Sequence, residues 1–300
     1  MAPIADRAFS TQSIRFEISP NPAFVDEEVR IRVRGLHLNH PLILRATTED
    51  DDARRWRSQA HFRADESGST DTAAQESLGG TYHGVSPMGL LWSMRLDDAH
   101  ANGHSMFAKN GVLPNRVSFQ VELDGRIVAS TELERPFLAP GTEIRDLNID
   151  DNLTGNGRSH ETGRVGRLFI PPGHGPHPVV IVLSGSGGGF DLDKAATLSR
   201  HGFATLALAY FGISPLPAWL HRIPLDYFEA ALAWLASHPE LDTQRIAALG
   251  VSRGAELALL LGTKFPLIRA IVAYAPSSVA WAAGGREKAT GEIIPSWIWR

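Results

Sequence analysis

Two hydropathy periods divide the chain. Up to about residue 145, apolar and polar positions alternate over Ser13–Ile18, Glu28–Val33, Pro41–Ala46, Leu90–Leu96 and Arg116–Leu123. A period of two is what a strand buried on one face requires. Ser19-Pro20-Asn21-Pro22, Gly79-Gly80 and Asp124-Gly125 punctuate these runs. Asp-Gly between Gln120–Leu123 and Arg126–Ser130 predicts a hairpin, because the primed turns need positive φ at both central residues. Short alternating strands separated by turn residues predict a β-sandwich over residues 10–145. The acidic run Glu49–Asp52 beside Arg54 and Arg55 reads as a solvated loop, with a cation site as the alternative.

Residues 146–163 are polar, contain Gly155 and Gly157, and carry no helical period, so they read as a linker. From residue 164 to the end, apolar runs alternate with amphipathic stretches. Val165–Ile170, Pro178–Leu183, Phe203–Tyr210, Arg245–Val251 and Arg269–Ala275 read as strands, the inner ones nearly continuous, as strands covered on both faces must be. Asp191–Arg200, Pro224–Ser237 and Arg253–Phe265 read as helices. In the second, Phe228, Ala231, Leu232 and Leu235 share one face, and Pro224 suits a first turn. This alternation predicts an α/β domain with a parallel sheet and functional loops at the strand C-terminal ends.

Composition narrows the possibilities. Hydrophobic residues make up 43% and charged residues 21% of 300, which excludes a disordered or collagenous chain. A formal charge of −4 gives no footprint for nucleic acid. No apolar run reaches the roughly 20 residues of a membrane span, and MAPIADRAFS carries no secretory h-region. The absence of cysteine removes disulfides, Cys-ligated zinc and thiol nucleophiles, and makes the cytoplasm the expected location.

The sharpest chemical signal is Gly250-Val251-Ser252-Arg253-Gly254, between an apolar strand and a helix. That is the context of a nucleophile elbow, in which a strained turn lifts a serine Oγ above a sheet and the helix N-terminus favours developing negative charge. Ser252 is the candidate catalytic residue. Ser184-Gly185-Ser186-Gly187-Gly188-Gly189 follows the strand Pro178–Leu183, where one oxyanion-hole amide belongs; Ser186 or Gly187 would donate it, and Arg253 the second. A structural glycine turn remains the alternative. A phosphate loop does not fit, because no Lys-Ser/Thr pair follows and Phe190 occupies the third-glycine position of a dinucleotide fingerprint. Among twelve histidines, His100 and His104 are separated by Asn102 and Gly103, unlike a metal-binding helix, and His174 and His177 lie in a Gly/Pro loop. No metal or other cofactor is expected.

These residues carry a resemblance. Ala60, Phe62-Arg63-Ala64-Asp65, Gly79-Gly80-Thr81-Tyr82 and Gly84-Val85-Ser86-Pro87-Met88-Gly89-Leu90-Leu91-Trp92-Ser93-Met94, with Leu198–Tyr210 and Gly250–Gly254, resemble the acyl-CoA thioesterase/bile acid-CoA:amino acid N-acyltransferase family over nearly the whole chain. The resemblance implies a β-sandwich followed by an α/β-hydrolase domain, an acyl-CoA substrate, and a triad of Ser or Cys, Asp and His. With serine as nucleophile it favours hydrolysis over transfer to an amino acid. A carboxylic-ester or dienelactone-type hydrolase and a non-catalytic acyl-CoA-binding protein are the alternatives.

The tail departs from that pattern. After Ala275 it holds no histidine, and its acids are Glu287 and Glu292. Nucleophile, acid and histidine follow one another along such chains. The expectation is therefore a partial hydrolase domain over 164–300, shortened at its C-terminus, with Ser252 the only triad member, and a nearly inactive, poorly soluble product. An exposed last strand and unpartnered Trp281, Trp297 and Trp299 belong to the same expectation.

Overall fold

The computed structural model describes residues 13–98, 105–149 and 163–299. The chain divides into two compact units. One runs to Lys109 and adds Leu113–Pro136; the other holds Asn110–Val112 and the chain from Phe137.

The first unit is built from two antiparallel sheets. Strands β1 (Arg15–Ser19), β2 (Arg30–Arg34) and β5 (Ser69–Asp71) form the smaller. The larger has the order β6-β4-β3-β7-β8, from β3 (Pro41–Glu49), β4 (Arg55–Arg63), β6 (Arg95–Leu96), β7 (Asn115–Leu123) and β8 (Arg126–Arg135). The alternation sets the core: Ile31 and Val33 from one sheet meet Leu42, Leu44, Ala46, Ala60, Phe62, Phe119 and Val121 from the other. The hairpin turns where expected, with φ of 48° at Asp124 and 77° at Gly125. Of Leu90–Leu96, only Arg95–Leu96 is strand. The segment's apolar residues are consecutive, and Trp92 and Ser93 donate to the Met88 and Gly89 carbonyls, closing the short helix α1 (Gly89–Trp92) before β6.

In the acidic run Glu49–Asp52, Glu49, Asp51 and Asp52 are exposed as a solvated loop requires, but Asp50 departs from that expectation. Asp50 is buried, and its carboxylate accepts Trp56 Nε1 at 2.9 Å, Arg54 Nε at 2.9 Å and Arg54 N at 2.9 Å. Burial would raise its pKa, but these hydrogen bonds outweigh burial and hold the carboxyl well below the usual range. Asp71 is handled in the same way. Burial opposes its charge, while the Arg30 and Arg32 guanidiniums bring its pKa down to about 2.

The second unit carries a six-stranded sheet of order β15-β14-β11-β12-β10-β9. Its strands are β9 (Glu143–Ile149), β10 (Gly163–Ile170), β11 (His177–Leu183), β12 (Ala204–Leu208), β14 (Leu241–Val251) and β15 (Ile268–Tyr274). The last four in chain order are parallel. β10 runs antiparallel to β12, and β9 to β10, so the sheet is mixed and not parallel throughout. β9 overlaps the expected linker and moves the division of the chain from 145 back to Pro136; the rest of that linker lies outside the described residues. Helices α2 (Leu192–Ser199), α3 (Asp226–Ala236) and α4 (Arg253–Lys264) connect the parallel strands. Their apolar stripes, including Ala195, Phe228, Leu232, Leu257 and Leu261, are buried. A two-stranded parallel ladder joins β13 (Ile223–Pro224) to β16 (Trp297–Ile298). β15 is an edge strand with Ile271, Val272 and Tyr274 exposed, as the tail pattern predicted. Among the described residues, no helix is long and apolar enough to cross a membrane.

The depressed Asp71 pKa has a sign. Its contribution to stability is complete above the unfolded value of 3.8 and is lost as pH falls towards about 2. That contribution is about 2 kcal/mol. Asp71→Asn is expected to lower the denaturant midpoint at neutral pH and to flatten its decline in acid. The same acid dependence in both chains would contradict this.

Candidate active site

The chain passes from β11 through α2 to β12 on one side of the sheet, and then through α3 to β14 on the other side of β11. The strand order therefore reverses between β11 and β14. In open α/β sheets, ligands bind beside the loops that leave the carboxyl ends of two such strands. Both predicted motifs lie on those loops.

Ser252 stands between β14 and α4 with φ 54° and ψ −114°, a conformation a non-glycine residue rarely adopts. Ser252 N donates to Tyr274 O on the neighbouring strand, and Ser252 O accepts from Ala255 N and Glu256 N. Its side chain is exposed. Gly250 and Gly254 leave no room for a Cβ. One on Gly250 would lie 2.0 Å from Gly254 O, and one on Gly254 would lie 2.3 Å from Ser184 O and 2.5 Å from Leu183 O.

The loop after β11 lies against this turn. A Cβ on Gly185 would sit 3.6 Å from Ser252 Cβ. Ser184 Oγ donates to Gly189 O, Gly189 N to Phe211 O, and the buried Tyr210 hydroxyl to Ser184 O at 2.6 Å. Burial, first among several influences, pushes the Tyr210 phenol above its ordinary range, so it remains a donor. Ser186 and Gly187 are exposed on the same loop. The backbone amides of Ser186, Gly187 and Arg253 donate to no described residue.

Sequence reasoning missed what fixes Arg253. Its guanidinium donates to Glu256 Oε2 at 2.8 Å, to Trp281 O and to Ser296 Oγ, and lies 5.9 Å from the Trp297 ring centroid. Glu256 is buried, and its other oxygen accepts Trp281 N and Trp297 Nε1. Trp297 also packs on Tyr210, and Trp299 on Phe265 and Lys264. The expectation of unpartnered tryptophans is thus corrected: the tail is tied to the first turn of α4 through one buried carboxylate. Trp281, though exposed, donates its Nε1 to Ser277 Oγ. The signal available in the sequence was Glu256, an acid within a helix whose Ala255, Leu257 and Ala258 are all apolar.

Ser252 Oγ hydrogen-bonds to no described histidine or carboxylate. Glu287 pairs with Arg222 instead. His100 and His104 lie outside the described residues.

The strand order, the three connecting helices and a serine held at positive φ after β14 define the α/β-hydrolase class. Within it, the chain belongs to the acyl-CoA thioester hydrolase/BAAT family: the family's N-terminal region matches residues 26–149 and its C-terminal region residues 223–294. It is 35% identical over 280 residues to human "Acyl-coenzyme A thioesterase 2, mitochondrial", covering 90% of this chain and 53% of that protein. To mouse "Acyl-coenzyme A thioesterase 6" it is 39% identical over 243 residues, covering 78% and 54%. To mouse "Acyl-coenzyme A amino acid N-acyltransferase 1" it is 34% identical over 258 residues, covering 83% and 58%. The chain thus spans little more than half the length of these relatives.

The two glycine environments predict opposite outcomes. Gly254→Ala drives a Cβ into two backbone carbonyls and should cost about 1–3 kcal/mol. A Cβ on Gly187 meets nothing within 4 Å, so Gly187→Ala should leave the thermal midpoint nearly unchanged. Equal midpoints for the two variants would contradict the packing described.

Proposed function

We propose that this chain acts on acyl-CoA thioesters, with Ser252 as the nucleophile. In this reading the Ser252 oxygen attacks the thioester carbonyl and the C–S bond breaks. An acyl-serine forms, CoA leaves as the thiol, and water hydrolyses the ester. The amide of Arg253 and that of Ser186 or Gly187 stabilise the oxyanion. The observation that carries the reading is the strained backbone of Ser252 at the carboxyl end of β14, with three undonated amides on the loops that follow β11 and β14. The names of the relatives supply the substrate class. Serine as nucleophile favours water over an amino acid as acceptor. A cytoplasmic location fits the cysteine-free composition.

One observation favours a second reading. With no described base at Ser252 Oγ, the hydroxyl stays protonated, and binding without turnover is the alternative. In subtilisin, loss of the triad histidine costs about 10⁶ in kcat, which sets the scale of the expected deficit. Thiol release from an acyl-CoA, read with a thiol reagent that meets no cysteine in this protein, tests both. The 300-residue chain should release thiol slowly, a chain extended to the length of its relatives much faster, and Ser252→Ala not at all. Turnover that survives Ser252→Ala would refute the nucleophile; binding with no turnover in either length would favour the second reading.

A further inference from the structure

The most specific string in the sequence, Pro87–Met94, takes no part in the chemistry assigned to Ser252. In the first unit it builds a wall. Met88, Leu91, Trp92 and Met94 line a cavity of about 370 Å³, closed on another side by Trp56 and Phe107, whose rings lie 5.6 Å apart. Gly89 is needed for this wall, since a Cβ there would fall 2.2 Å from the ring of the buried Tyr82, which in turn packs on Trp92. The volume is that of a small-ligand pocket. Methionine walls adapt to flexible apolar guests.

Arg135 also lines this cavity and is only 5% exposed. A buried guanidinium is costly and is ordinarily paired with a carboxylate. Here Nη1 donates to Glu27 O at 3.1 Å and Nη2 to Val25 O at 2.5 Å, both neutral carbonyls. Among the described residues, no carboxylate lies within ion-pair distance, and Asp26 and Glu27 act on it only at longer range. Two of five N–H groups are used, so donors remain for a guest. Pinning the end of β8 to residues 25–27 explains the two hydrogen bonds; it does not explain an apolar cavity beside a buried cation that no carboxylate touches directly.

We propose that this cavity binds a long-chain alkyl carboxylate, with the carboxylate on Arg135 and the chain along Met88, Leu91 and Met94. The cavity is lined by residues of the first unit alone, whereas Ser252 belongs to the second. A free fatty acid is the class of molecule that thioester hydrolysis releases, but binding requires no catalysis, so the proposal stands or falls independently of the nucleophile.

The test is calorimetric titration of the Ser252→Ala chain with dodecanoate and with dodecanol. Dodecanoate should bind at least about tenfold more tightly than the alcohol, as a charge-assisted hydrogen bond implies. Affinity should rise about fourfold per added methylene until the cavity is full. Met94→Trp, which fills the cavity from its half-buried rim, should weaken dodecanoate at least about tenfold. Arg135→Gln should abolish the discrimination between acid and alcohol. If that variant fails to fold, Met94→Trp and the acid–alcohol ratio decide the matter. Equal affinity for acid and alcohol, undiminished binding in Met94→Trp, or no binding of dodecanoate would each overturn the proposal.

Discussion

The second unit depends on one close approach between backbones. Gly254, at the start of α4, lies so near the Leu183 and Ser184 carbonyls that a single methyl group would collide with both. Because β11 and β14 are adjacent and parallel, the loops that leave them emerge side by side. Without a Cβ at 254 they close on each other, bringing Gly185 against Ser252. The positive φ of Ser252 follows from the same tight reversal between strand and helix. The backbone bonds of Ser252 to Tyr274, Ala255 and Glu256 hold that strained conformation in place.

Buried charge is handled by one physical device in both units. Asp50, Asp71 and Glu256 are each withdrawn from water and each surrounded by donors, with tryptophan indoles serving Asp50 and Glu256 and arginines serving all three. For Asp50 and Asp71 the donors replace lost hydration and hold the carboxylates ionised. Glu256 has the widest reach, since it binds Arg253 on one side and the segment carrying Trp281 and Trp297 on the other. Arg135 is the counterexample: a buried cation hydrogen-bonded to carbonyls, with Asp26 and Glu27 acting on it through space, beside a cavity.

What could be read from the sequence follows from how strongly burial is written into local pattern. β11, β12 and the Ile246–Gly250 stretch of β14 are withdrawn from solvent, so their apolar runs announce them. The elbow was legible for the same reason, as a serine between a buried strand and an amphipathic helix. β4 was not recognised because two of its inward positions are Ser58 and Ala60, which weaken an alternation that Trp56 and Phe62 complete. β9 escaped because Glu143–Ile149 buries Leu147 while Ile144 is exposed. Asp50 read as part of a solvated run and Glu256 drew no reading, since their partners Trp56, Trp281 and Trp297 are brought to them by tertiary structure. Pairings across more than a turn of chain leave no periodic trace, and these account for most of what pattern alone did not reveal.

The central claim is that Ser252, held at positive φ between β14 and α4, is the group that takes the acyl chain. Prolonged incubation with excess acyl-CoA, followed by acid quench and peptide mass mapping, tests it directly. An adduct of the acyl mass on the peptide carrying Ser252, absent from Ser252→Ala, is the predicted result. Acylation at another residue, or the same adduct in Ser252→Ala, would contradict it.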